Sequence, residues 1–267
     1  MKNLSPIAKF LVALSDEAGR IMLRHYKPLG MTAQKKADLS PVTEADLEIN
    51  RMVIDRVKAE YPDYEILAEE ISTDTKKSDK LFVCDPIDGT QMFAIGATMF
   101  AFSAAVVHDG EPIAGVLSNP LAKRTLIAEK GRGAFLAETG ETVHVSPKDD
   151  LDKAFINAGW KDGRANNLLH EQGARCPEVY SICESSSLVA LGGFHGDIYT
   201  SHHPHDIAAA KIVVEEAGGK VTDAFGHEQR YDGEIRGAII SNGKLHDRLV
   251  EIAKKSGVID HLPPDRG

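Results

Sequence analysis

The chain has 267 residues, 42% of them hydrophobic, enough for a substantial core in one large domain or two closely fused halves. Its formal net charge of -9 argues against nucleic acid or an anionic membrane as the main partner, so an anionic substrate would require imported positive charge, for which bound metal is the obvious source. Cys84, Cys176 and Cys183 are odd in number and lack metal-type spacing, which fits a reducing cytoplasm better than a disulfide framework.

Along the chain, Asp16 and Glu17 interrupt the N-terminal segment, which has no signal-peptide pattern, and no apolar run reaches membrane-spanning length. That segment reads instead as an amphipathic helix, with Ser5 as N-cap, Pro6 in the first turn, and Ile7, Leu11, Leu14, Ala18, Ile21 and Met22 at helical spacing. "KPLGMTAQKKADLSPV" has no period and reads as a loop, in which Lys36 is either a solvated lysine or a residue that steers phosphate. Thr43 caps a second helix, with Asp46 three positions on in capping-box style. "EILAEE" and "KLFVCD" read as strands, followed by two hairpins, "FAFSAAVVHDGEPIAGVLSNP" and "RTLIAEKGRGAFLAE". The first half is therefore helices followed by an antiparallel meander. From about residue 150 the pattern is mixed α/β. Strands are expected at "AFINAG", "KVTD" and "GAIISN", and helices at "NNLLHEQGA", "HDIAAAKIVVEEAGG" and "KLHDRLVEIAKKSG". "SLVALGGFHGDIYTS" reads as a small-residue helix leading to a strand, and the tail "HLPPDRG" as frayed. The division expected is a single unit over 1–267 with sub-parts 1–150 and 151–267.

"CDPIDGTQMF" (84–93) carries the chemistry. Asp85 is delivered at the end of an apolar strand, Pro86 fixes the exit, and the Ile87 carbonyl can point the same way as the Asp85 and Asp88 carboxylates. Oxygen-only ligands of this kind suit a hard cation such as Mg²⁺, while the Gly89 and Thr90 N–H groups, at a helical start, would face an anion. An Asx-turn or helix cap accounts for one of the two aspartates but not both. Upstream, "ILAEE" ends in Glu69 and Glu70, of which one faces the site and the other its surroundings, or both form a solvated edge. Downstream, Asp206 lies in the first turn of a helix, where an acidic residue also serves as a cap. Ala208, Ala209 and Ala210 after it let that helix approach a crowded neighbour closely.

Together these stretches resemble the inositol monophosphatase family of metal-dependent, lithium-sensitive phosphatases over nearly the whole chain. The matching motifs, in order, are "DLSPVTEAD" (38–46), "AEE" (68–70), "DPIDGT" (85–90), "EKGRGAF" (129–135) and "HDIAAAKIVVEEAGG" (205–219). The resemblance implies an α+β to α/β, layered α-β-α-β-α sandwich of the sugar phosphatase type, commonly a homodimer. It implies two or three Mg²⁺ ions. Glu69, Asp85 and the Ile87 carbonyl would hold the first, Asp85, Asp88 and Asp206 the second, and Glu69 with waters a third. Thr90, paired with Asp46, would orient and help deprotonate a metal-activated water, with Glu69 completing the catalytic set. Asp88, Gly89, Thr90, Ser186 and His205 would contact the substrate. The implied activity is phosphomonoester hydrolysis of a small polyol or sugar phosphate, inositol monophosphate first. Histidinol phosphate, fructose-1,6-bisphosphate and 3′-phosphoadenosine 5′-phosphate are the alternatives within the class, and an idle metal–phosphate-binding regulator is the alternative outside it. Neither nucleic acid nor membrane is an expected partner.

The chain departs from the family pattern at three motif positions, and its region between 157 and 184 is short for the family, which would open the leaving-group pocket. His205 replaces the usual Trp before the last aspartate. Tyr199 stands seven positions before Asp206, where inositol-phosphate hydrolases have a sugar-contacting Glu. "ESSSLVAL" (184–191) replaces a Gly-Ser segment, so that Ser186 or Ser187 either substitutes for it or belongs to a serine-rich helix start. "SHHPHD" (201–206) reads as a polar loop rather than a zinc site, because no Cys or third ligand at helical spacing accompanies His202, His203 and His205.

Overall fold

The computed structural model describes residues 4–28, 34–35, 41–72, 78–159 and 163–263. Helix α1 (Pro6–His25) starts where expected, the Ser5 hydroxyl accepting from the Ala8 N–H at 3.2 Å and burying Leu11, Leu14, Ala18 and Met22. Within the stretch read as a loop, β1 (Gln34–Lys35) and β2 (Pro41–Val42) form a short antiparallel pair, and Lys36 lies outside the described residues. Thr43 and Asp46 form the capping box of α2 (Glu44–Glu60).

Strand β3 (Glu65–Ala68) pairs in parallel with β4 (Lys80–Asp88), a relationship the meander reading did not contain. β4 does not stop at Asp85. It continues through Pro86 and Ile87 to Asp88, and its register with the next strand shifts between Asp85 and Asp88. Such an irregularity is where a strand tolerates a proline, which has no N–H for the ladder. The one-turn helix α3 (Thr90–Ala94) follows. β5 (Ala101–His108) and β6 (Glu111–Asn119) form the first hairpin, closed by Asp109 and Gly110, both at positive φ (51° and 82°) as a two-residue primed turn requires. β7 (Arg124–Glu129) and β8 (Gly133–Leu136) form the second.

The rest of the chain supplies β9 (Ile156–Asn157), α4 (Arg164–His170), α5 (Ile182–Ala190), β10 (Gly196–Tyr199) and α6 (Pro204–Glu216). β11 (Lys220–Thr222), β12 (Ala238–Ser241) and α7 (His246–Ser256) complete it. Residues 264–267 of the tail lie outside the described residues. Ser181 caps α5, so Ser185, Ser186 and Ser187 lie inside that helix and are buried rather than forming its start.

Three apolar cores separate five layers. One lies between α1 and α2 and the six-stranded sheet β3-β4-β5-β6-β7-β8. A second joins the other face of that sheet to α5 and α6 and, beyond them, to β11, β12 and β10. The third lies between the four-stranded sheet β11-β12-β10-β9 and helices α4 and α7. The result is an α+β layered sandwich. Helix α6 comes close to β6 because Gly115 lies under Ala209: a Cβ built on Gly115 would meet the Ala209 Cα at 3.0 Å and the Ile212 Cγ2 at 2.5 Å. The small residues of α6 thus have the packing role their run suggested.

Candidate active site

The parallel β3–β4 pairing brings two carboxylates to one sheet edge. Ala68 stands opposite Cys84 in the register, and the Glu69 N–H donates to the Cys84 carbonyl at 3.1 Å, which places Glu69 beside Asp85. One Asp85 oxygen accepts the Ile87 N–H at 3.0 Å, so the turn reading of this aspartate holds together with its place in the cluster. Past the register shift, Asp88 Oδ2 accepts the Ser181 hydroxyl and the Cys183 N–H (2.7 Å), both from the start of α5. The first turn of α6 delivers Asp206, whose Oδ2 accepts the Tyr199 hydroxyl.

Ligand atoms of Asp85, Asp88 and Asp206 lie within 4.8 Å of one another, and so do those of Glu69, Asp85 and His205. Among the described residues no lysine or arginine pairs with Asp85, Asp88 or Asp206; the ion-pair partner of Asp206 is His205, at 3.6 Å. Burial, then the charges of Glu69, Asp88 and Asp206, push Asp85 well above the usual carboxylate range. Burial and Asp206 raise Asp88 to about 7, against the Ser181 and Cys183 hydrogen bonds. Crowded, buried carboxylates with no compensating side-chain cation, together with a nearby peptide carbonyl at Ile87, make a donor set that fits a hard divalent ion.

On the other side of the turn, Thr90 Oγ1 lies 2.9 Å from the Ile87 carbonyl and 3.4 Å from Asp46 Oδ1. Asp46 is fully buried, and desolvation raises it to about 6 even though Thr43 hydrogen bonds oppose the shift. Gly89 is left-handed (φ 85°), and a Cβ there would meet the Met99 carbonyl at 2.8 Å and the Ser181 Cβ at 3.0 Å, so only glycine lets this turn lie against the start of α5.

A cavity of about 250 Å³ opens beside Asp88 and Asp206, with Asn157, Tyr180, Asp197 and Tyr199 among its lining. Asp197 accepts from Asn157 at 2.8 Å and from the Ser185 hydroxyl, and burial pushes it up to about 7. The structure thus gathers Asp46, Glu69, Asp85, Ile87, Asp88, Gly89, Thr90, His205 and Asp206 around one turn. Ser186 is apart from them: it is fully buried in α5 and is not in the cavity lining. His205 lies beside Glu69 and Asp85 rather than on that lining. Ser181, Cys183, Asn157 and Asp197 went unread in the sequence. Only Ser181 carried a local signal, as a possible cap three residues before Glu184.

Residues 3–257 match the model of the inositol monophosphatase family, and the chain belongs to that family of phosphatases. Among curated relatives, a fructose-1,6-bisphosphatase/inositol-1-monophosphatase of Thermotoga maritima is 33% identical, covering 92% of this chain and 95% of the relative. A histidinol-phosphatase of Mycobacterium tuberculosis is 32% identical (90% and 94% covered), and a Nus factor SuhB of Xylella fastidiosa 28% identical (98% and 99%). The solved structure of a Thermotoga maritima IMPase superposes with a TM-score of 0.84 at 32% identity, covering 93% of this chain and 96% of that one. The hydrolase class and the layered fold follow from this membership, and magnesium dependence with lithium sensitivity is typical of the family. No helix among the described residues is long and apolar enough to cross a membrane.

Proposed function

We propose that this phosphatase is a Mg²⁺-dependent phosphomonoesterase of small polyol or sugar phosphates, with inositol monophosphate as its first substrate. The observation that carries the reading is the conjunction of the Asp85–Asp88–Asp206 cluster with the Thr90–Asp46 pair and with a small cavity that Asp88 and Asp206 line. Glu69, Asp85 and the Ile87 carbonyl would hold one ion and Asp85, Asp88 and Asp206 a second, with a third site at Glu69. The Ile87 oxygen would be freed for this role as the Thr90 hydroxyl, which has one proton, turns from it to Asp46 Oδ1. Bound Mg²⁺ supplies Lewis acidity towards water and the phosphoryl oxygens.

The chain's own residues do the rest. The attacking water gives its proton to Thr90 Oγ1 as the Thr90 hydroxyl proton passes to Asp46 Oδ1. The Gly89 and Thr90 N–H groups donate to phosphoryl oxygens, and positioning of this kind is most of what phosphoryl transfer needs. The leaving oxygen takes a proton from solvent water as it departs into the cavity, where Tyr180 and Tyr199 are among the residues that face the alcohol, and Asp46 returns its proton to solvent. Its volume of about 250 Å³ is below the roughly 300–1,000 Å³ of pockets for drug-sized ligands, which favours a small alcohol over a nucleotide. Names of relatives support inositol, fructose and histidinol phosphates alike.

The test is inorganic phosphate release from inositol, histidinol, sugar and adenosine phosphates, with Mg²⁺ and with a chelator. Inositol 1-phosphate should give the highest kcat/KM, and the chelator should abolish release. A preference for histidinol phosphate would move the substrate, and silence across the panel with Mg²⁺ bound would overturn the activity.

A further inference from the structure

The three aspartates of the cluster are held in different ways. Asp85 accepts the Ile87 N–H of its own turn at 3.0 Å, and Asp88 accepts from the Ser181 hydroxyl and the Cys183 N–H at the start of α5. Asp206 has neither arrangement. Among the described residues the one hydrogen-bond donor to its side chain is the Tyr199 hydroxyl, on Oδ2, while His205 Nε2 lies 3.6 Å from Oδ1. We propose that Tyr199 is the positioning residue of the Asp85–Asp88–Asp206 metal position. Its hydroxyl fixes the Asp206 carboxylate for the ion, and it does so from the wall of the cavity that receives the leaving alcohol. The proposal rests on the reading of Asp206 as a metal ligand.

The backbone is fixed at both ends of this contact. Tyr199 is the last residue of β10 and pairs with Ala238 of β12, and just beyond it the Gly237 N–H donates to the Ser201 carbonyl at 3.0 Å. The chain entering β12 passes so close that a Cβ on Gly237 would meet the Tyr199 carbonyl at 2.6 Å. On the other side, the first turn of α6 is anchored twice. The His205 carbonyl accepts the Ser103 hydroxyl at 3.3 Å, and the Asp206 carbonyl accepts the Cys183 thiol at 3.5 Å. These contacts seat the backbone of the turn on β5 and α5, but the direction of the carboxylate depends on Tyr199. A tyrosine hydroxyl suits the task because it donates one hydrogen bond and brings no charge, which leaves the aspartate's negative charge for a cation. Hydrogen-bond partners of this kind orient ligating carboxylates, and losing one costs about 10–100-fold in metal affinity. Tyr199 lines the cavity together with Asp88 and Asp206, so the residue that steadies the ligand is also a wall of the leaving-group pocket. The departure from the family pattern at Tyr199 thereby acquires a role.

Binding is measured directly, without turnover. Mn²⁺ shares the preference of Mg²⁺ for carboxylate, carbonyl and water. It is titrated into the metal-stripped protein, and free Mn²⁺ is counted by electron paramagnetic resonance. The wild type should bind more than one ion, and Asp206→Asn should lose one of them. Tyr199→Phe should weaken that same ion by about 10–100-fold and hold the other as wild type does. This variant removes one oxygen and keeps the ring, so its metal-free form should still unfold cooperatively. Tyr199→Met, which also lacks the donor, should show the same selective loss, so the test does not hang on one variant. A wild type that holds a single Mn²⁺, weakening of both ions alike in Tyr199→Phe, or weakening only of the ion that Asp206→Asn retains would overturn the proposal. Selective loss in Asp206→Asn with wild-type binding in Tyr199→Phe would remove the role of Tyr199 and leave Asp206 a ligand. An Asp206→Asn variant that binds every ion the wild type binds would overturn the reading of Asp206 as a ligand, and the proposal with it.

Discussion

Thr90 Oγ1 and Asp46 Oδ1 stand 3.4 Å apart, and the same Asp46 closes the capping box of α2 through its other oxygen, which accepts the Thr43 N–H at 2.7 Å and the Thr43 hydroxyl at 2.5 Å. A local helix-start motif therefore holds a carboxylate for chemistry 44 residues away in the chain. One oxygen anchors the side chain while the other is left for the threonine, and burial keeps the group near pH 6 instead of in the usual carboxylate range.

That division of labour separates two substitutions. Thr90→Val should lower kcat by about 10²–10⁴, the range for loss of a positioned proton-transfer group, with little change in KM or in the melting temperature. Thr43→Ala should cost about 1 kcal/mol of stability through the lost cap, with a smaller fall in kcat. Steady-state kinetics and urea unfolding of both variants check this. Equal losses of kcat would show that Thr90 has no role beyond holding Asp46.

Asp88→Asn should reduce turnover by about 10³ or more, as expected of a group that acts on transition-state charge, while the metal-free fold survives. The side chain is buried beside Asp206, and neutralising it removes a repulsion without opening a cavity. Thermal unfolding without metal should therefore match or exceed wild type. Activity close to wild type would take Asp88 out of the site.

Proton linkage sets the sign of the pH dependence. Asp88 and Asp197 each titrate at about 7 in the folded, metal-free chain, against 3.8 for an ordinary aspartate, chiefly because burial disfavours the charged forms. Between those values the folded state binds protons that the unfolded state has released. The stability they contribute is complete below about pH 4 and is lost as the pH rises through about 7. The melting temperature of the chelator-treated protein should therefore fall between about pH 5.5 and 8. Mg²⁺ should restore more stability at the upper end, because metal ligands must give up their protons to bind. A metal-free melting temperature that climbs over this interval would contradict the assignment.

The parts of this site that could be read in the sequence are those encoded within a few residues. The Thr43–Asp46 box, the Asp85–Thr90 turn and the helix opening at Asp206 each have a local signature. Cys183 has none and Ser181 only that of a helix cap, because their target, Asp88, is 95 and 93 residues away and only tertiary packing brings the start of α5 to it. The extension of β4 to Asp88 was hidden for a related reason. Pro86 reads as a strand stop, and the strand persists only because its pairing with β5 shifts register there. Ser186 shows the reverse error, a polar residue in a promising run that the helix turns into the core.

Gly115 ties the packing of the sandwich to the metal cluster. It is the point at which β6 meets the backbone of α6, and Asp206 lies three residues, just under one turn, before Ala209 on that helix. Gly115→Ala should cost about 1–3 kcal/mol by overpacking. That corresponds to about 2–4 °C of melting temperature per kcal/mol for a chain of this size. Ile212 can relieve its part of the clash by rotating, but the Ala209 Cα cannot move unless the helix lifts, and lifting it withdraws Asp206 from Asp85 and Asp88. The variant should therefore lose Mg²⁺ affinity along with stability, measured by calorimetric titration and thermal unfolding of the same sample. A drop in melting temperature with wild-type Mg²⁺ affinity would mean that Ile212 absorbs the whole clash and that the seat of α6 on β6 does not position Asp206.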